Sequence, residues 1–109
     1  MSVPLTSLKI LDFSTLLPGP YASMMLADLG AEILRIESPT RPDLVRMLPP
    51  RVNSGSATHA TLNRSKHSLA LNLKKPEAVN IVQQLVGKYD IVLEQFRPGV
   101  MKRLGLDYE

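Results

Sequence analysis

LKILDFSTLLPGPYASMMLADLGAEILRIE, residues 8–37, holds two apolar runs separated by one helical pattern. The first run, 8–13, is apolar except for Lys9 and Asp12, which suits a strand covered on both faces. Pro18-Gly19-Pro20 cannot continue a strand, and Pro20 fits the first helical position, where its missing N–H is not needed. Ala22, Met25, Leu26 and Leu29 follow at i, i+3, i+4 and i+7, the spacing that predicts the buried stripe of a helix ending at Gly30. Residues 31–37 read as a second strand, closed by Pro39 and Pro42. Strand, helix and strand with joins this tight predict a parallel βαβ unit with a right-handed crossover.

Downstream, the pattern dissolves from 38 to 67, a long basic excursion with Pro39, Pro42, Pro49, Pro50 and the stretch Asn53-Ser54-Gly55-Ser56. A connection this long is expected to be functional or disordered. Its apolar island, Leu44, Val45, Met47 and Leu48, is expected to pack on something, whether within these residues or on chain lying outside this sequence. Order resumes at 68–73, where Leu69, Leu71 and Leu73 alternate with small or polar residues as in a strand with one dry face. Pro76 opens a second helix with Ala78, Ile81, Val82 and Leu85 as its stripe, ended by Gly87 and Lys88. Residues 90–94 predict a further buried strand, and Pro98 starts a short helix reaching about Arg103. Together these predict α/β architecture: an open parallel sheet with helices on its faces. The sequence stops just after a helix, which would leave a sheet edge uncovered, so 1–109 is expected to be the amino-terminal portion of a longer chain.

A chain of 109 residues can bury only about 65% of its unfolded surface, one core of modest thickness, which excludes a two-domain enzyme. Without cysteine there is no disulfide framework, thiolate metal site or thiol catalysis. His59 and His67 lie eight apart, poor spacing for a shared ion, and no metal is expected. No basic-then-apolar leader opens the sequence and no apolar run approaches the roughly 20 residues of a bilayer span, so a cytoplasmic protein without a membrane partner is expected. The net charge of +3 conceals an asymmetry: residues 41–75 carry +6, leaving the remainder at −3. Charge concentrated in this way points to an anionic partner. Nucleic acid is disfavoured, because single-strand binders interleave aromatics with cations and no Phe, Tyr or Trp occurs between Tyr21 and Tyr89.

Two turns lead from a strand end into a helix N-terminus, at 17–20 and at 96–98, and both are candidate anion sites. Every α/β protein has such turns and most bind nothing. Arg97 and Arg103 distinguish the second, since six helical residues climb only about 7 Å and both guanidinium groups reach one phosphate or diphosphate. Neither a Gly-x-Gly-x-x-Gly nor a P-loop pattern occurs. Glu37 reads as an exposed strand-end acid and Asp12 as a strand-end carboxylate that accepts backbone donors. His59 and His67 read as solvated or loop-packing side chains, and Met24, Met25 and Met47 as core filler.

Four motifs in order, LDFS…PGPYA (11–22), LADLGAEILRIE (26–37), LNRSKHSLALNLK (62–74) and EQFRPGVMKRLG (94–105), resemble the amino-terminal part of a family III CoA-transferase. That family includes formyl-CoA and carnitine CoA-transferases and the α-methylacyl-CoA racemases. The resemblance implies a Rossmann-like CoA-binding portion of a much longer chain that forms interlocked homodimers, acting on acyl-CoA and carboxylic acids. It places the backbone near Leu71 and the side chain of Lys74 at the adenosine and phosphate end of CoA, and Gln95, Phe96 and Arg103 along the diphosphate and pantetheine path. Leu17 stands where the formyl-CoA branch has a glutamine, a lean toward the racemases, and Ser38 stands where that branch has an arginine gripping phosphate. The aspartate of the transferases, which forms a mixed anhydride, and the histidine and aspartate of the racemases fall beyond residue 109. This stretch alone is therefore expected to have no catalytic residue and no activity. A racemase of the same family and a non-catalytic anion-binding α/β module remain as alternatives.

Overall fold

The structure, a computed structural model, describes residues 3–53 and 55–108. Four parallel strands form one sheet in the order β5-β2-β1-β6, with β1 Lys9–Asp12, β2 Glu32–Glu37, β5 His67–Ala70 and β6 Ile91–Leu93. Helices α1 Pro18–Asp28 and α3 Pro76–Val86 cover its two faces, and α4 Val100–Arg103 follows β6. The sheet grows outward from β1 to β2 and β5, then returns to place β6 on the other side of β1. The connection reverses direction between β1 and β6, and in open parallel sheets the crevice beyond the carboxyl ends at such a reversal is the usual ligand position.

Side-chain alternation assigns the faces. Ile10 and Ile33 join Ala27 and Ala31 beneath α1, with Leu5, Leu8, Leu26 and Leu93 at the margin. Leu11, Phe13 and Ile36 point the other way and pack with Val82 of α3, joined by Leu69, Leu71, Leu73, Phe96 and Met101. By the same period of two, Asp12 and Arg35 follow Ile10 and Ile33 onto the α1 face, where they are paired across the strands. That face is thus apolar along most of its length and charged at the carboxyl end, with Asp12 and Arg35 both buried.

The α1 stripe differs from the one its leucine spacing predicts. Gly19, Pro20, Ser23, Met24 and Ala27 are the buried residues, while Met25 and Leu29 are about half exposed and Ala22 is exposed. Close seating of the first turn decides this. Ser23 Oγ donates to Asp12 at 2.6 Å, and a Cβ on Gly19 would fall 2.2 Å from Ser14 Cβ, so small residues face the sheet. Gly30 follows the helix with φ +105°, the left-handed ending that glycine permits. Gly87 ends α3 at φ −65°, an ordinary helical value, so glycine is not required there. Ile81 is exposed although it fits the α3 stripe, which leaves Ala78 and Val82 as that helix's buried residues. β6 is not the buried strand expected: it pairs on one side, with β1, and Ile91 and Val92 are about 40% exposed.

The excursion between β2 and β5 carries short elements that no periodicity reveals. A 3-10 turn at Leu44–Met47 is capped by Asp43, β3 Arg51–Val52 pairs antiparallel with β4 Gly55–Ser56, and α2 Ala57–Leu62 is capped by Ser56. Elements of two to six residues are shorter than the windows from which a period is read. Of the apolar island only Val45 is buried, against Met24 and Leu62; Leu44, Met47 and Leu48 stay exposed. Ser54 of the turn lies outside the described residues.

Candidate functional site: a cationic cleft above the strand ends

Beyond the carboxyl ends of the strands lies a cleft of about 840 Å³. The segments after the strands form it: Phe13, Thr15 and Leu16 after β1, the end of β2 through Asp43, residues 71–74 after β5, and residues 95–97 after β6, closed by Arg103 and Leu104. All six residues expected to bind, Leu71, Lys74, Gln95, Phe96, Arg97 and Arg103, line this one cleft. A neighbouring depression of about 500 Å³ shares Lys74 and Arg103 and adds Lys75, at the start of α3.

The cleft's cations are of two kinds. Arg35 is 2% exposed and ion-paired to both Asp43 and Glu37. Glu37 also binds Arg46 through two 2.9 Å contacts and accepts from Ser68 Oγ at 3.0 Å. Burial raises the Glu37 carboxyl, but the Arg46 hydrogen bond and the adjacent Arg35 charge outweigh it and hold the group below the usual glutamate range. Glu37 is therefore not the exposed acid that its strand-end position suggested: its side chain is 14% exposed and fully engaged. His59 lies 3.3 Å from Arg35. Burial, then the charges of Arg46 and Arg35, lower its pKa and keep the ring neutral.

Lys66 is enclosed in the same network. Its ammonium donates to Pro20 O at 3.0 Å and Asn63 Oδ1 at 3.1 Å and stands 3.9 Å from Asp12. Burial pulls its pKa down to about 8 against the raising effect of Asp12. Asp12 behaves as the strand-end carboxylate expected, accepting Ser14 N–H at 2.8 Å, but it also takes the hydroxyls of Ser14 and Ser23.

Arg41, Lys74, Arg97 and Arg103 form the second kind: all line the cleft, all are exposed, and none has a side-chain hydrogen bond or ion pair among the described residues. Much of the positive charge in 41–75 is neutralised inside the protein, since Arg46 pairs with Glu37, Arg64 with Asp28, and Lys66 is buried. Arg41 was not singled out by sequence reasoning. The available signal was Ser38, whose hydroxyl accepts the N–H of Arg41 at 3.0 Å and of Thr40 at 3.3 Å, a serine turn that presents Arg41 at the cleft.

The turn at 17–20 departs from its reading as an open anion site. Gly19 N–H donates to Gln95 Oε1 at 2.9 Å, and Gln95 Nε2 donates back to Thr15 O. Gln95 therefore joins the ends of β1 and β6, and part of the α1 N-terminus is already occupied. A larger depression of about 1040 Å³, on the far side of β6, is lined by Val82, Val86, Val92, Met101 and Leu106. It has Lys102 as its one cation and both Glu94 and Asp107 as carboxylates, so a polyanion is repelled there. Among the described residues no helix is long and apolar enough to cross a membrane, and no three His, Cys, Asp or Glu residues group as metal ligands.

Comparison with known proteins extends this geometry. The pattern of CoA-transferase family III matches residues 5–109. Mouse succinyl-CoA:glutarate CoA-transferase is 42% identical over 97% of this chain, and acetyl-CoA:oxalate CoA-transferase of Acetobacter aceti is 41% identical over the same share. The chain spans 24% and 27% of those two relatives. Among solved structures, a CAIB/BAIF family protein from Brucella suis superposes with a TM-score of 0.90 at 33% identity, covering 99% of this chain and 30% of that one. Fold, motif order and a match across nearly all of its residues agree: this chain belongs to CoA-transferase family III.

Proposed function

We propose that this chain is the coenzyme A-binding portion of an enzyme that moves CoA between carboxylic acids. The observation that carries the reading is the group of four unpaired cations, Arg41, Lys74, Arg97 and Arg103, around one cleft at the reversal point of a parallel sheet. CoA carries a diphosphate and a 3′-phosphate, and arginine and lysine left without internal partners match such a ligand. Leu71, Leu73 and Phe96 add apolar wall for the rest of the molecule, and Gln95 holds the β1–α1 turn in place.

Binding this large handle is separate from the chemistry. In the proposed route an aspartate outside these 109 residues attacks the thioester carbonyl. A carbon–oxygen bond forms as the carbon–sulfur bond breaks and CoA leaves as thiolate. Its attack on the aspartyl carbonyl of the resulting anhydride expels the donor acid and leaves an aspartyl-CoA thioester. The acceptor carboxylate attacks that thioester to form a second anhydride with release of CoA thiolate, and thiolate attack on that anhydride's acceptor carbonyl gives the new acyl-CoA and restores the aspartate. Asp12 is not that nucleophile, because both its oxygens are engaged in buried hydrogen bonds. Transfer is preferred to racemisation because the similar relatives are named as transferases. A cytoplasmic homodimer completes the reading, and these residues alone are without turnover.

Competition calorimetry on the natural full-length protein tests it. Phosphate anchoring predicts that 3′-phospho-ADP displaces CoA and that pantetheine does so poorly. The reverse order of potency overturns it.

A further inference from the structure

The irregular segment after β2 reaches back to the turn that follows β1, at a backbone position that leucine seldom adopts. Leu16 has φ +64°, in the left-handed region that disfavours a residue with a side chain. Its N–H donates to Asp43 Oδ1 at 3.1 Å, across 27 residues of sequence. Asp43 is 5% exposed; the same oxygen caps the 3-10 turn through Val45 N–H at 3.0 Å, and the other oxygen is held by Arg35. Arg35 is braced in turn by Glu37, which Ser68 of β5 and Arg46 also hold. On the other side of Leu16, Gln95 grips Thr15 O and Gly19 N–H. The turn is clamped at both ends, and Thr15, Leu16 and Asp43 all line the cleft.

We propose that Asp43 is a positioning residue for the ligand cleft: its carboxylate, fixed by Arg35, holds Leu16 left-handed and so sets the wall that the β1–α1 turn presents to the ligand. The ligand named in the test, CoA, rests on the function proposed above; the clamp itself does not. Without the bond from Asp43, Leu16 relaxes toward negative φ, the turn shifts, and the wall moves. Glycine at 16 accepts positive φ without help, so it uncouples the turn from Asp43.

The test is a double-mutant cycle in the natural full-length protein, with Asp43→Ala, Leu16→Gly and the pair, read by the CoA dissociation constant and by hydrogen exchange at the Leu16 amide. Asp43→Ala, which removes the acceptor, is expected to weaken CoA binding about tenfold in the original background and less than about threefold with glycine at 16. It is also expected to speed exchange at Leu16. A merely structural loss lowers the melting temperature and weakens binding equally in both backgrounds, and that result overturns the proposal, as does unchanged exchange. Where Asp43→Ala does not fold, Leu16→Val leaves the ion pair intact. It should weaken binding several-fold more than Leu16→Asn, which also loses the leucine side chain but tolerates left-handed backbone; equal effects overturn the idea. If the unsubstituted protein does not bind CoA, the function proposed above fails, and exchange at Leu16 still decides whether Asp43 holds the turn.

Discussion

Arg35 and Arg103 line the same cleft and differ in nearly everything else. Arg35 sits on the central strand β2, is 2% exposed and is locked between Asp43 and Glu37. Arg103 ends a four-residue helix, is exposed and has no side-chain partner among the described residues. An arginine enclosed with two carboxylates has its charge balanced within the fold and serves architecture. An exposed one without a partner keeps its donors accessible. The same contrast separates Lys66, whose side chain is 1% exposed beneath the first turn of α1, from Lys74 at the cleft. Charge counted along the chain merges the two kinds, which only burial and pairing separate.

The sharpest way to break the comparison is Arg35→Met. Removing the cation leaves Asp43 buried without its ion-pair partner, an imbalance that costs about 3–5 kcal/mol in buried pairs. Urea unfolding should show a loss of that size. A loss below about 1 kcal/mol would put the Arg35 network in the class of solvent-screened surface pairs.

Arg103→Ala tests the other member. In the natural full-length protein CoA binding should weaken about tenfold, or about 1.4 kcal/mol, with the melting temperature unmoved. An unchanged dissociation constant would make Arg103 a solvated cation and leave Arg41, Lys74 and Arg97 as the anchors.

The third effect is a slope. Burial brings the Lys66 pKa down to about 8 from an ordinary 10.5. Between those values the unfolded chain holds a proton that the folded protein has released, so Lys66 contributes stability that rises with pH across this window and is level below it. Lys66→Met should remove the contribution. The difference in denaturation midpoint between variant and original should change from about pH 7 to about pH 10. A constant difference would mean that Lys66 titrates as a solvated amine.

Phe13, Leu11 and Ile36 were legible as core because strand and helix periods are local properties of the chain, and Pro20 and Pro76 were legible as helix-opening signals for the same reason, although α1 begins two residues before Pro20, at Pro18. Leu71, Lys74, Gln95, Phe96, Arg97 and Arg103 were singled out from their places after strands and within motifs, and all of them line one cleft. The α1 stripe was misread because leucine spacing registers hydrophobicity and not closeness of approach. Ser23 and Gly19 face inward since the turn leaves no room for more, and Met25 and Leu29 are turned out. Asp43 carried no signal: a single aspartate in a proline-rich stretch has no period, and its partners are 8 and 27 residues away.

What the sequence determined by itself is what depends on neighbours along the chain: the alternation of strands and helices, the absence of thiol chemistry, the family motifs and the surplus of basic residues in the middle segment. Tertiary structure alone decided which of those charges are free. Side chains far apart in sequence meet only when β1, β2 and β5 lie side by side, and there Arg35, Glu37 and Asp43 form one mutually neutralising network while Lys66 stands against Asp12. The pairing energy of charges depends on distance and on local dielectric, both set by the fold, and that is why Arg41 and Lys74 of that segment, like Arg97 and Arg103 beyond it, stand exposed at the cleft without a side-chain partner among the described residues.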